Sequence, residues 1–291
     1  MRRLVLVALV VVSCAPSSAQ TATPAAGQPL KLAFHAGAVY RFSLHSIQGL
    51  TGGTDPALQV EFTAEEAATV RSVDSAGTAD VGVGLSNVVV QSGAAGGQTD
   101  TSRPAFGVRI APDGRILSMD GPAVASKFPF RTGFDANLIV AVLPDNNVVP
   151  GDSWTKEYDQ LNPFGVGSGT IHIQSASKYL RNESINGVEA AVVETTSEAT
   201  IHTTMTFGGT PTSGLPSYPV LPGGVTGLAL TGTTSTDVTT WIDPRRHGIL
   251  KTHVTAKTNA SLVSVVAPGG PTPATGPLSF SADESVDLVL I

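Results

Sequence analysis

The sequence of 291 residues has little charge and almost no thiol chemistry: 14% of its side chains are charged, and Cys14 is its one cysteine. A single cysteine excludes an internal disulfide. Ordinary soluble domains carry about 25% charged side chains, and clustered cations are what phosphate binding draws on, so a nucleic-acid partner is not expected. After residue 12 no apolar run approaches the roughly 20 residues that a bilayer-spanning helix needs.

Catalytic motifs are also wanting. Gly165-Val166-Gly167-Ser168-Gly169 has the wrong order for a nucleophile elbow, and it leads into a strand, so no helix N-terminus waits for a phosphate. Gly151-Asp152-Ser153 resembles the nucleophile block of GDS-type esterases but sits mid-chain rather than early, and Asp243 to His247, with three intervening residues, has the wrong spacing for their late Asp-x-x-His. Of six histidines, none forms a His-x-His or a helical i, i+4 pair, and only His172, His202 and His253 remain as a cross-strand trio to be checked. Carboxylates such as Glu65, Glu66, Asp237, Asp283 and Glu284 are scattered. The expectation is a protein that is not an enzyme, with no metal and no cofactor.

What is abundant is Thr (32), Gly (31) and Pro (20), a strand-and-turn composition. Period-two alternation, the mark of a half-buried strand, recurs along the body. Tyr40, Phe42 and Leu44 alternate with Arg41, Ser43 and His45, and Val60 to Val70 reads as one long strand despite Glu65-Glu66-Ala67-Ala68. A change of parity between Val81-Val83-Leu85 and Val88-Val90 predicts a bulge.

Turn chemistry predicts hairpins at Asp113-Gly114, at Asn186-Gly187 and across Asp243 to Gly248, with a last strand from Val286 to the end. Residues 92 to 105, 208 to 224 and 267 to 277, dense in Gly, Pro, Ser and Thr, read as long hairpin loops.

One segment reads differently. Asp135 can cap a short helix from Ala136 to about Leu143, stopped by Pro144. Phe128, Phe130 and Phe134, with Leu138, Ile139 and Val142, make it a candidate apolar lid or ligand contact; the plainer reading is a helix covering one end of the sheet. The fold class expected is mainly β: a single curved antiparallel sheet, half-barrel or sandwich, with one short helix packed on it.

The N-terminus has the anatomy of an export signal: Arg2 and Arg3, then an apolar run from Leu4 to Val12, then small residues. Val11-Val12-Ser13-Cys14 resembles the bacterial lipobox, which implies a lipid on Cys14. Ser17-Ser18-Ala19 offers ordinary cleavage before Gln20 instead. The division expected is a leader over 1–19, a flexible tether over 20–29 and one β-rich domain over 30–291. Losing Arg2 and Arg3 takes the formal charge from −6 to −8.

Leu143-Pro144 followed by Val148-Val149-Pro150-Gly151-Asp152-Ser153-Trp154 resembles a pattern in a family of uncharacterised secreted bacterial lipoproteins. Its residues read as structural: a glycine for a turn, an aspartate for backbone hydrogen bonds and a tryptophan opening a strand. Thr240-Trp241-Ile242-Asp243-Pro244 with Gly248-Ile249-Leu250 is similar to the hairpin of the LolA, LolB and LppX lipoprotein carriers, in which a curved sheet encloses a lipid-sized cavity. These resemblances imply an exported cell-envelope lipoprotein, anchored to a membrane through Cys14, that binds or shields an apolar or lipid ligand. A periplasmic or secreted form, and a structural or adhesive β-module without a ligand, are the alternatives.

Overall fold

The computed structural model describes residues 27–52, 55–92, 95–100, 105–120, 140–161, 168–206, 225–266 and 277–291. Twelve strands form one antiparallel sheet: β1 Val39–Gly52, β2 Asp55–Val73, β3 Ala79–Ser92, β4 Ala95–Asp100, β5 Ala105–Ile110, β6 Ile116–Asp120, β7 Ser153–Leu161, β8 Ser168–Ile185, β9 Val188–Thr206, β10 Val225–Asp243, β11 Gly248–Val266 and β12 Leu278–Leu290. Eleven lie on one path, β6-β5-β3-β2-β1-β12-β11-β10-β9-β8-β7, and β4 pairs with the far half of β3. The C-terminal strand joins the two halves, with Leu44 opposite Leu288 and Lys251 opposite Val289.

The sheet curls until its two end strands approach, giving a nearly closed barrel. Its seam is bridged by side chains. Lys156 on β7 donates to Asp113 in the β5–β6 turn at 2.8 Å, and the Arg115 guanidinium lies 5.1 Å from the centre of the Tyr158 ring.

Local chemistry sets the strand boundaries. Asn186 (φ 49°) and Gly187 (φ 81°) both take the left-handed conformation that a two-residue hairpin requires, and the Asp113-Gly114 turn has Gly114 at φ 87°. The bulge expected between Leu85 and Val88 is present: Thr63 faces Val89 and Glu65 faces Ser86, leaving one residue of β2 against two of β3, with Asn87 at φ 53°. The hairpins expected across Asp243 to Gly248, and the sewn-in last strand, are as read.

Three features differ from the sequence reading. Residues 95–100, expected as loop, form β4, because Gln98 and Thr99 find partners along Val90 and Val89. Val140 to Leu143 are not helical. They have no regular secondary structure and are almost fully buried, which is why the run is apolar without a period. Most of the expected helix, with Phe128, Phe130, Phe134, Leu138 and Ile139, lies outside the described residues, as do Cys14 and the leader. Finally, the end of the expected tether is docked: Gln28 exchanges backbone hydrogen bonds with Val148, and Leu30 and Leu32 are buried.

The four short turns, at 74–78, 111–115, 186–187 and 244–247, gather at one end of the barrel, and β1, β7, β9 and β11 end at the other. That layout also occurs in outer-membrane barrels, but the polarity here is inverted. Outward positions on β9 are Glu194, Thr196, Glu198, Thr200 and His202, while inward ones are Val193, Thr195, Ser197, Ala199 and Ile201. A lipid-facing strand puts its apolar residues outside, so these strands face water.

Candidate functional site

The inner face of the barrel is stratified, and register makes the strata exact neighbours from strand to strand. At the turn end lies an apolar plug. Leu30, Leu32 and Val140 to Leu143 pack against Tyr179, Val193, Val238, Ile242 and Val254.

Because these two plug segments are not in the sheet, their backbones need other partners. The Ala141 N–H donates to Thr240 Oγ1 at 2.9 Å, the Val142 N–H to Thr195 Oγ1 at 3.1 Å, and Trp154 Nε1 donates to the Val142 carbonyl at 2.8 Å. Leu32 and Ala33 donate to the carbonyls of Pro112 and His247, and Leu143 to that of Asp113. Inward-facing threonines in the sheet thus have a specific task, which is to accept from the backbone of a buried segment outside the sheet.

Above the plug runs a polar belt. Lys156, Ser175, Ser197, Thr236, Ala256, Glu284 and Gln48 stand side by side on β7, β8, β9, β10, β11, β12 and β1. Its charges are engaged: Lys156 with Asp113 and Asp145, both at 2.8 Å, and Glu284 with Ser46 and Gln48 at 3.1 and 2.6 Å. Burial works to raise the Asp113 pKa, and Lys156 with Arg115 overcomes it, holding the carboxyl below its ordinary 3.8.

Beyond the belt, toward the end opposite the turns, the inner face becomes apolar again. Ile171, Ile173, Ala199, Ile201, Leu230 and Ala260 form a buried cluster flanked by Tyr158, Leu262 and Phe280. Two inner positions here are glycine. Gly232 sits between Ile201 and Ala260, and a Cβ on it would lie 2.4 Å from the Asn259 carbonyl oxygen. Gly169, at φ 122°, stands beside Thr203, where a Cβ would come within 2.2 Å of the His202 carbonyl oxygen.

This tier holds an anomaly. Six buried side-chain polar atoms have no hydrogen-bond partner among the described residues, and five of them are on the inner face of β7 and β9: Tyr158 OH, Gln160 Nε2 and Oε1, Ser197 Oγ and Thr203 Oγ1. Each such group costs about 1–3 kcal/mol when dry and unpaired. Gln160, 3% exposed, stands directly opposite Ile171.

The residues singled out from sequence fall as follows. Val142 is inside the plug, not on a lid. Gly151 takes φ 100°, Asp152 Oδ2 accepts from the Val149 N–H at 2.8 Å and Trp154 reaches the plug, so the Gly-Asp-x-Trp pattern is structural here. In the Trp-x-Asp-Pro hairpin, Asp243 Oδ1 accepts from the Arg245 and Arg246 N–H groups at 2.8 and 3.0 Å.

The histidine trio does not assemble. His202 lies level with Thr231 and Ser261, and His253 is eight residues from Ser261 along β11, about 26 Å at strand rise. His172 is instead paired outside the barrel with Asp159 at 2.8 Å and Glu157 at 3.2 Å; the Asp159 hydrogen bond leads in raising its pKa. What sequence reading missed is Gln160 and its neighbours. Parity was the signal, since Trp154, Lys156, Tyr158 and Gln160 alternate onto one face.

The described residues are all β, with one nearly closed antiparallel sheet, polar outside and apolar inside at both ends. No protein-family model matches the chain, and no curated protein does. Among solved structures, one of lipid–protein interactions in lipovitellin is similar at 13% identity and a TM-score of 0.44, over 89% of this chain. The chain spans 25% of that lipovitellin chain.

Proposed function

We propose that this chain is an exported cell-envelope protein that holds an apolar ligand, such as a lipid, inside its barrel, and that it binds rather than catalyses. The observation that supports this most is a second apolar lining of the inner face, beyond the polar belt and away from the plug. At the turn end the sheet encloses two extra chain segments besides its own side chains. β5 (Ala105–Ile110) and β6 (Ile116–Asp120) stop near the turns, and β7 to β12 carry the second lining, where Gly169, Ala199, Gly232 and Ala260 stand among Ile171, Ile201, Leu230 and Leu262. A mainly apolar lining with a few polar groups is what a small-molecule site requires.

The leader and the lipobox-like Val11-Val12-Ser13-Cys14 support export with a lipid on Cys14, which would fix the barrel to a membrane surface. Radiolabelled palmitate tests this part: label lost in Cys14→Ser supports it, and an unlabelled chain beginning at Gln20 overturns it.

The ligand is tested by expressing the chain with its own leader in a bacterium, purifying it without detergent, and applying native mass spectrometry with solvent extraction. About one equivalent of bound apolar molecule is expected. A chain recovered repeatedly empty, and unable to take up lipid, favours the second reading, a structural or adhesive module. Thr196, Thr200, Thr233, Thr239 and Thr255, alternating outward on β9 to β11, are the feature in its favour.

A further inference from the structure

The far tier of the inner face is apolar apart from the paired hydroxyls of Thr234 and Thr258 and a small set of buried polar groups that have no partner among the described residues, and this last set has a common chemistry. Gln160 offers a donor and an acceptor, both unpaired; Tyr158, one inward position nearer the belt on the same strand, offers a hydroxyl; Thr203, on β9, offers another. None carries a charge at neutral pH, because burial pushes the Tyr158 pKa up to about 12. The charged side chains of the belt below are already engaged, Lys156 by two carboxylates and Glu284 by Ser46 and Gln48.

A site of this kind discriminates. Buried groups that lack partners are satisfied by a ligand that can both donate and accept, and are left unpaired by a hydrocarbon of the same length. An ionised end group would exchange water for neutral dipoles in an apolar surround, which is unfavourable. Ile171 stands opposite Gln160 and Leu230 opposite Thr203, and with Ile201, Leu262 and Phe280 they offer aliphatic and aromatic surface for a chain.

We infer that the barrel's ligand is an amphiphile with a neutral hydrogen-bonding end group, a primary amide, alcohol or neutral ester, seated on Gln160 and Tyr158 of β7, with Thr203 two strands across on β9. The inference rests on the apolar-ligand reading above and adds the chemistry of the ligand's polar end.

The test uses the mature full chain and displacement of the neutral fluorophore N-phenyl-1-naphthylamine by three probes of equal length: decanamide, 1-decene and decanoate. Decanamide is expected to bind at least tenfold more tightly than 1-decene, and decanoate more weakly than decanamide at pH 7. Gln160→Met keeps the length and removes both polar atoms; it should cut the amide preference to under about threefold with 1-decene affinity unchanged. Thr203→Val, read the same way, serves if Gln160→Met fails to fold, and should at least halve the preference. Equal binding of amide and hydrocarbon, a preference unchanged in the variants, or tighter binding of decanoate overturns the inference but leaves an apolar site. Failure of decanamide and 1-decene alike to bind overturns the apolar-ligand reading itself.

Discussion

Lys156 and Asp113 meet across 2.8 Å although they belong to opposite ends of the strand path, one on β7 and the other in the turn leading into β6. Their side chains are each 13% exposed, so the pair is shielded from screening, and the same carboxylate takes the Arg115 Nε at 2.7 Å. The seam of the barrel is therefore closed by charge where backbone pairing stops. Asp113→Asn should lower stability by about 1.5–3 kcal/mol at pH 7, the range for hydrogen bonds to charged groups, read from urea midpoints.

The same contact carries a pH dependence. Asp113 is held below its unfolded value of 3.8, so its contribution is complete above about pH 4 and is lost as pH falls through the lower folded value. The gap between wild type and Asp113→Asn should narrow steadily in urea titrations from pH 4 to pH 2. A gap of constant size would show that folding leaves the carboxyl's pKa unchanged.

Tyr158 gives the opposite sign. Burial is the main cause of its high pKa, with Arg115 opposing and Asp113 assisting, and the unfolded phenol ionises near 10. Wild-type stability should thus decline from about pH 10 to about pH 12, and Tyr158→Phe should lack that part of the decline. At pH 7 the variant should lie within about 0.5 kcal/mol of wild type or above it, since the hydroxyl it removes has no partner among the described residues.

The plug is held by threonines. Thr240→Val leaves the buried Ala141 N–H without its acceptor and should cost about 1–3 kcal/mol. Thr240→Ser, which keeps the hydroxyl, should recover most of this. Denaturant unfolding of the pair separates the hydrogen bond from the loss of packing.

At the β8–β9 hairpin, Asn186→Ala places an ordinary side chain at φ 49° and should destabilise by about 1–2 kcal/mol, whereas Asn186→Gly should be close to neutral. Guanidinium unfolding checks both.

Much of this fold is local in origin and so could be read from the chain. Alternation produced β1, β2 and β9, parity produced the bulge at Asn87, and Asn186-Gly187 and Asp113-Gly114 marked their turns. The plug could not be read the same way. Val140 to Leu143 are buried on every side, so they show no period, and with Asp135 before them and Pro144 after they imitate a capped helix. The docking of Leu30 and Leu32 depends on carbonyls of Pro112 and His247, far away in sequence. Gln160 was legible only in part: its parity with Tyr158 puts it inside, but that it has no partner there is a property of the assembled barrel.

The central claim is that the end of the interior away from the turns receives an apolar ligand. Leu262 lines that tier, while Trp154 and Trp241 lie toward the turns, with Trp154 opposite Ser177, eight residues along β8 from Gly169. Quenching by a brominated alkyl amide acts only near contact, so Leu262→Trp reports on the site and wild type supplies the reference. Saturable quenching of the indole introduced at 262 is expected, at about one equivalent, with the two native tryptophans almost unaffected. Native tryptophans quenched as strongly as the introduced one, or no saturable quenching at 262, would contradict the central claim.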